Sequence, residues 1–238
     1  MIAITFALPT ESSDLLRRLD QRKDEIVDQL TIIRGRLGDS DLTILHTGVG
    51  QKHCAPRIDR FLAAIRPTLL ISSGFAGSLT DRLNVGDLII ANNFSDAGLS
   101  QKLAVRSQTP IHHVRLTTVA SILDSAQERT QLAREMGAEA IDMETEIIAA
   151  ATKAHDVPIV SLRVISDSPA APFPAPPDIL FDVVRQKTNF GRLIPYVLTH
   201  PAAAIRLYRF AGQISRARSA LTNVLVEALT IVSDLRSR

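Results

Sequence analysis

Thr68-Leu69-Leu70-Ile71-Ser72-Ser73-Gly74-Phe75-Ala76-Gly77-Ser78 is an apolar run that passes into glycines without a charged residue in between. Pro67 stops the helical pattern before it, and Thr68 to Ser73 reads as a buried strand. Gly74 to Ser78 then reads as a compact bend in which Phe75 is the one bulky side chain. Small residues at a strand end let the backbone approach a flat ligand, or let two elements pack closely.

The same rhythm extends in both directions. Ile2, Ile4, Phe6 and Leu8 alternate as a first strand, and a helix through Leu19 follows an interruption at Pro9 to Ser13. Leu42 to Thr47 is a second short strand, and Gly48-Val49-Gly50 turns into a helix through Ile65. That turn has too few glycines for a dinucleotide fingerprint and lacks the lysine and hydroxyl of a nucleotide-triphosphate loop. Downstream, Leu88 to Ala91, Leu116 to Ala120, Ala138 to Met143 and Ile159 to Ile165 read as strands, while Ser125 to Met136 and Glu144 to His155 read as helices. Asn92 to His113 reads as a variable connection. Strands alternating with helices predict an α/β fold with a layered sheet.

After Asp167 the composition changes. Ser168 to Pro177 carries five prolines and predicts an extended loop. Leu207, Phe210, Ile214, Ala217, Leu221, Val224, Ala228, Val232 and Leu235 then recur at helical spacing, which predicts one long amphipathic helix or two. Such a stripe packs on a domain or a second subunit, or lies at a membrane interface.

Composition narrows the function classes. The 238 residues are 45% hydrophobic and suffice for one substantial core. A net charge of +2 gives no case for a nucleic-acid partner. The single cysteine, Cys54, forms no intrachain disulfide and no metal cluster, so a cytoplasmic location without a metal is expected. The strand-like start at Ile2 predicts neither secretion nor a spanning helix.

Glu11, Glu144 and Asp167 stand where strands end or give way to helices, positions that open onto the ligand crevice of an α/β sheet. Taken singly, Glu11 suits a helix start in Thr10-Glu11-Ser12-Ser13-Asp14, Asp142 and Glu144 suit another, and Ser166-Asp167-Ser168-Pro169 suits a turn. Taken together, carboxylates at such places can hold hydroxyls, orient water or donate a proton.

Glu11, Gly74-Phe75-Ala76-Gly77, Val85-Gly86-Asp87, Asp142-Met143-Glu144 and Arg163-Val164-Ile165-Ser166-Asp167 occur in an order that resembles the purine nucleoside phosphorylase and nucleosidase superfamily, in particular its methylthioadenosine/S-adenosylhomocysteine nucleosidase branch. The resemblance implies a three-layer α/β/α fold with a central mixed, partly barrel-like sheet. The resemblance covers roughly Met1 to Asp167, and with the periodicity of the tail the chain is expected to divide into a nucleoside phosphorylase-like domain over residues 1–190 and an amphipathic helical extension over residues 191–238, packed on the domain or a partner. The resemblance also implies cleavage of a purine N-glycosidic bond without a cofactor. In that scheme Asp167 protonates the departing base, Ser166 positions Asp167, and Glu144 binds ribose hydroxyls. Met143 packs on the sugar, Phe75, Ala76 and Gly77 face the nucleoside, Glu11 activates water, and Arg163 holds the nucleophile region. A homodimer or larger assembly is implied as well.

Water is the expected acceptor. Phosphate needs cationic or amide donors, and the stretch after the first strand offers Glu11 instead. His46, His53 and Arg163 leave phosphorolysis, with inorganic phosphate as co-substrate, as the alternative. A noncatalytic nucleoside- or lipid-binding relative is the alternative of another class. Three features are similar to a hopanoid-associated phosphorylase-like branch: the short middle, the proline-rich loop and the basic tail. That likeness implies an adenosylated hopanoid as substrate and peripheral membrane contact through the tail.

Overall fold

The computed structural model describes residues 1–182 and 186–236. The opening stretch lies at its centre. β5 (Leu69–Ser78) pairs in parallel with β1 (Ile2–Phe6) on one side and with β10 (Ile159–Asp167) on the other. The expected bend at Gly74 to Ser78 is therefore strand, because β10 and β9 (Ala140–Asp142) continue to supply hydrogen-bond partners along it. Gly74 takes the φ of 145° that this continuation requires, a value only glycine adopts without strain.

Beyond β1 the sheet runs through β4 (Ser40–His46) to β3 (Leu30–Leu37) and β2 (Asp20–Val27) at its edge. Beyond β10 come β6 (Leu88–Ala91) and β7 (Ile111–Val114). After Arg115 the chain continues as β8 (Leu116–Thr118), which pairs with β9, and β9 returns to the far end of β5. This return closes half of the sheet into a small barrel around Ala76, Leu83, Ile89, Val114, Leu116 and Ile165. Parallel and antiparallel pairs are mixed throughout.

The layers follow from strand periodicity. Ile2, Ile4 and Phe6 point to one side, where Leu15 and Leu16 of α1 (Pro9–Leu16), Leu103 of α3 (Ala97–Arg106) and Leu221, Leu225 and Leu229 of α8 (Pro201–Arg236) cover them. Ala3 points to the other side, toward Cys54, Ile58 and Phe61 of α2 (Gln51–Ile65) and Ile148 of α5 (Thr145–Ala154). Burial pushes the Cys54 thiol up to about 12, so it stays an inert packing group.

Two further expectations are corrected, and one hairpin lies in a segment that was not assigned from sequence. The first helix starts at Pro9 and stops at Leu16. The β2–β3 hairpin lies between it and β4, in a segment that carries no apolar alternation at its start: Asp20 to Glu25 is six polar residues. Asn92 to His113 is ordered as a 3-10 turn (Asn92–Phe94), α3 and β7, not as a loose connection. Asp96 caps α3 by accepting from the Leu99 amide at 2.8 Å.

α4 (Ala126–Met136) starts on a Ser125 cap and ends on Gly137 in the left-handed conformation, as its composition predicts. After the proline-rich loop come α6 (Pro177–Leu180), the two-residue strands β11 (Phe181–Asp182) and β12 (Lys187–Thr188), and α7 (Phe190–Thr199). The apolar stripe of α8 is buried from Ala217 to Val232, whereas Leu207, Phe210 and Ile214 are half-buried. The Leu235 side chain and residues 237–238 lie outside the described residues.

Candidate active site

The carboxyl ends of β1, β5 and β10 meet the starts of α1 and α5 around a cavity of about 150 Å³. Glu11, Phe75, Ala76, Gly77, Met143, Glu144, Ser166 and Asp167 all line it. Three acids that stand far apart in sequence therefore share one pocket. Each is buried.

Glu11 does two things at once. As the third residue of α1 it accepts the Leu8 amide at 2.9 Å through Oε2, which is the helix-start role its local sequence suggests. Through Oε1 it accepts the Phe75 amide, also at 2.9 Å, and so bridges to β5. Burial raises its pKa above the ordinary carboxylate value, while the two amides and the nearby Arg163 charge oppose that rise. A Cβ at Gly74 would lie 2.7 Å from an Arg163 nitrogen and 2.9 Å from Glu11 Oε1, so glycine makes room for this contact.

Glu144 precedes α5 and accepts the Gly50 amide at 2.6 Å. The Gly48-Val49-Gly50 turn thus gives an amide to a carboxylate. Burial, and then the charge of Asp142, push the Glu144 pKa up to about 8. Asp142 itself accepts from Thr118 Oγ1 at 2.8 Å and from the Thr145 amide at 3.2 Å, and pairs with Arg163 at 3.1 Å. Arg163 is the one expected site residue that does not line the cavity. It lies behind β5, donating to Ser72 Oγ at 2.9 Å and Thr145 Oγ1 at 2.8 Å.

Asp167 ends β10. Ser166 Oγ donates to its Oδ1 at 2.6 Å, and a buried guanidinium, Arg129 of α4, pairs with its Oδ2. Arg129 is 2% exposed and is fixed by donating to the Ser78 carbonyl at 2.9 Å and the Leu123 carbonyl at 2.7 Å. Burial raises the Asp167 pKa, and Arg129 and Ser166 act against the rise. A carboxyl balanced in this way can exchange a proton on Oδ1 while Oδ2 stays bound.

Sequence reasoning missed Arg129, because Ser125 to Met136 reads as a mostly polar surface helix. The available signal was the spacing of Arg129 with Leu132 and Ala133, which places it on the packed side. It also missed Phe173, which brings an aromatic ring from the proline-rich loop into the lining. Gln186 was missed too: its side chain accepts the Val49 amide at 2.6 Å and pins the wall of the pocket.

Among the described residues, no group of three or more His, Cys, Asp or Glu side chains is placed to hold a metal ion. His46 is half-buried at the end of β4, with Nε2 2.8 Å from Ser12 Oγ, and burial lowers its pKa to about 4. It does not line the cavity.

Comparison with known proteins points the same way. The family described as the phosphorylase superfamily matches residues 1–107 and 96–194. A 5'-methylthioadenosine/S-adenosylhomocysteine nucleosidase of Staphylococcus aureus strain MRSA252 is 26% identical over 196 residues, covering 70% of this chain and 86% of that protein. The nucleosidase of the same name from S. pneumoniae, solved with a transition-state inhibitor, superposes with a TM-score of 0.72 at 19% identity, covering 97% of this chain and 99% of the other. Futalosine hydrolase of Helicobacter pylori superposes with a TM-score of 0.71 at 16% identity, covering 96% of each chain. At these identities the superpositions establish the mixed α/β architecture.

Proposed function

The chain belongs to the phosphorylase superfamily, and from that membership and the three pocket carboxylates we propose that it hydrolyses the N-glycosidic bond of an adenine nucleoside. Departure of the base leaves a cationic, oxocarbenium-like sugar, so catalysis needs an acid at the base and negative charge at the sugar. Asp167 protonates the purine, and the Ser166 hydroxyl and Arg129 hold its carboxyl during the transfer. Glu144 accepts hydrogen bonds from ribose hydroxyls, with Met143 beside it against the sugar. Glu11 takes a proton from the attacking water.

The observation that carries hydrolysis over phosphorolysis is the pairing of the cations. The one arginine among the lining residues is paired with Asp167, and Arg163, which does not line the cavity, is paired through Nη2 with Asp142, although its Nε has no hydrogen-bond partner. A phosphate dianion entering beside Glu11 would meet a carboxylate instead of a donor. The relatives named nucleosidase and hydrolase support the same reading. Phe75 and Phe173 make part of the wall apolar, and an adenosylated hopanoid is the proposed finer substrate.

The test is adenine release from a panel of adenine nucleosides, with and without phosphate. Release is expected to be independent of phosphate. Phosphate dependence would establish the phosphorolytic reading, and no release from any nucleoside would leave a binding protein.

A further inference from the structure

Residues 186–226 carry Lys187, Arg192, Arg206, Arg209, Arg216 and Arg218 and not one aspartate or glutamate, although the whole chain has a net charge of only +2. The same segment exposes large apolar side chains. Ile194 and Leu198 of α7 are 58% and 79% exposed, and Ile205 and Tyr208 of α8 are 59% and 82% exposed. These are four of the eight exposed large hydrophobics among the described residues, gathered within fifteen positions of one another. Ile194 and Leu198 stand four apart, and Ile205 and Tyr208 three apart, so each helix presents its pair as a stripe. The stripes flank the break between helices at His200.

We propose that this α7–α8 turn docks on an anionic lipid surface. Ile194, Leu198, Ile205 and Tyr208 enter the boundary between headgroups and acyl chains, and Arg209 and Arg216 meet the headgroup phosphates, whereas Arg192 and Arg218 are already paired with Asp178 and Asp14. A second copy of the chain is the poorer occupant, because a twofold contact would set this acid-free basic segment against itself. Insertion is shallow, since no described helix is long and apolar enough to cross a membrane. The surface exploited is not the stripe of α8 from Ala217 onward, which is already buried in the core.

The docking turn adjoins the pocket. Phe210 of α8 meets Phe173, a pocket-lining ring, edge to face with centroids 5.8 Å apart, and Arg206 donates to the Pro174 carbonyl at 3.4 Å. A docked protein therefore holds the Phe173 side of its pocket near the bilayer, where a nucleoside with an apolar tail resides. That last step rests on the proposed nucleosidase reading; the docking itself does not.

Flotation of the full chain with phosphatidylcholine vesicles, with and without about 30% phosphatidylglycerol, tests the docking directly. Binding is expected with the anionic vesicles, weakened by high salt. Replacing Ile194, Leu198, Ile205 and Tyr208 together by serine is expected to lower it about tenfold or more. Exchanging Arg209 and Arg216 for glutamate is expected to abolish the preference for anionic lipid. Wild-type protein that stays unbound, or a serine variant that binds as well as wild type, overturns the proposal. So does a serine variant whose loss is of self-association in sedimentation velocity, with vesicle binding unchanged. Hydrolysis of a soluble adenine nucleoside is read in parallel, and the serine variant is expected to retain it. Docking without any adenine release would sink the nucleosidase reading alone, and release without docking would sink the docking alone.

Discussion

The two ends of the pocket hold their carboxylates by different means. Glu11 and Glu144 are gripped by main-chain amides, those of Leu8, Phe75 and Gly50, so the path of the backbone itself places them. Asp167 is gripped by side chains, Ser166 and Arg129. A main-chain amide is fixed by the path of the backbone, whereas a hydroxyl can rotate. Ser166 Oγ has the Ala76 carbonyl at 3.3 Å as a second acceptor, so it can release Oδ1 when that oxygen takes up a proton. The rigid end suits groups that hold sugar and water in place, and the adjustable end suits the acid.

The largest expected effect breaks each end at its reacting group. Asp167→Asn and Glu11→Gln should each lower kcat by about 10²- to 10⁴-fold, or roughly 3 to 5 kcal/mol of barrier, with little change in melting temperature. Rates within a few-fold of wild type for either variant would remove that residue from the chemistry.

Arg129→Met sharpens the contrast, because it removes the support that only the Asp167 end has. Deleting one partner of a buried pair typically destabilises by about 3 to 5 kcal/mol, which denaturant unfolding will read. With the cation gone the Asp167 pKa moves further up, so the alkaline limb of the kcat/KM profile should shift to higher pH. A merely structural arginine would lower stability and leave that limb in place.

The smallest effect concerns stability against pH at the amide-held end. Glu144 has a folded pKa of about 8, above its ordinary 4.5, so its contribution is fully present below about 4.5 and is lost as pH rises through about 8. Glu11 and Asp167 shift in the same direction. His46, lowered to about 4, runs the other way, but its contribution is constant above its ordinary 6.5. Between about pH 6.5 and pH 9 the melting temperature of the ligand-free protein should therefore fall, and Glu144→Gln should flatten the fall. An unchanged slope in that variant would place the titration elsewhere.

The fold was legible wherever strands carry their own apolar pattern. Leu69 to Ser73, Leu88 to Ala91 and Ile159 to Ile165 are strands on that evidence and in the structure. The β2–β3 hairpin was not, because β2 lies at the edge of the sheet with its first five residues exposed, and solvent imposes no apolar period on it. α3 was hidden by a weak stripe that buries only Ser100 and Leu103. In the site, the acids stood out because each follows a strand end. Arg129 did not: its spacing with Leu132 and Ala133 marks the packed side of α4, but its partner there, Asp167, is 38 positions away and is not marked by any local pattern.

In the proposed reaction these carboxylates direct water, not phosphate, at the sugar. Turnover of an adenine nucleoside in ¹⁸O-water containing phosphate, with the sugar product weighed by mass spectrometry, tests it most directly. A free sugar carrying one ¹⁸O atom is the predicted result; an unlabelled sugar 1-phosphate would contradict it.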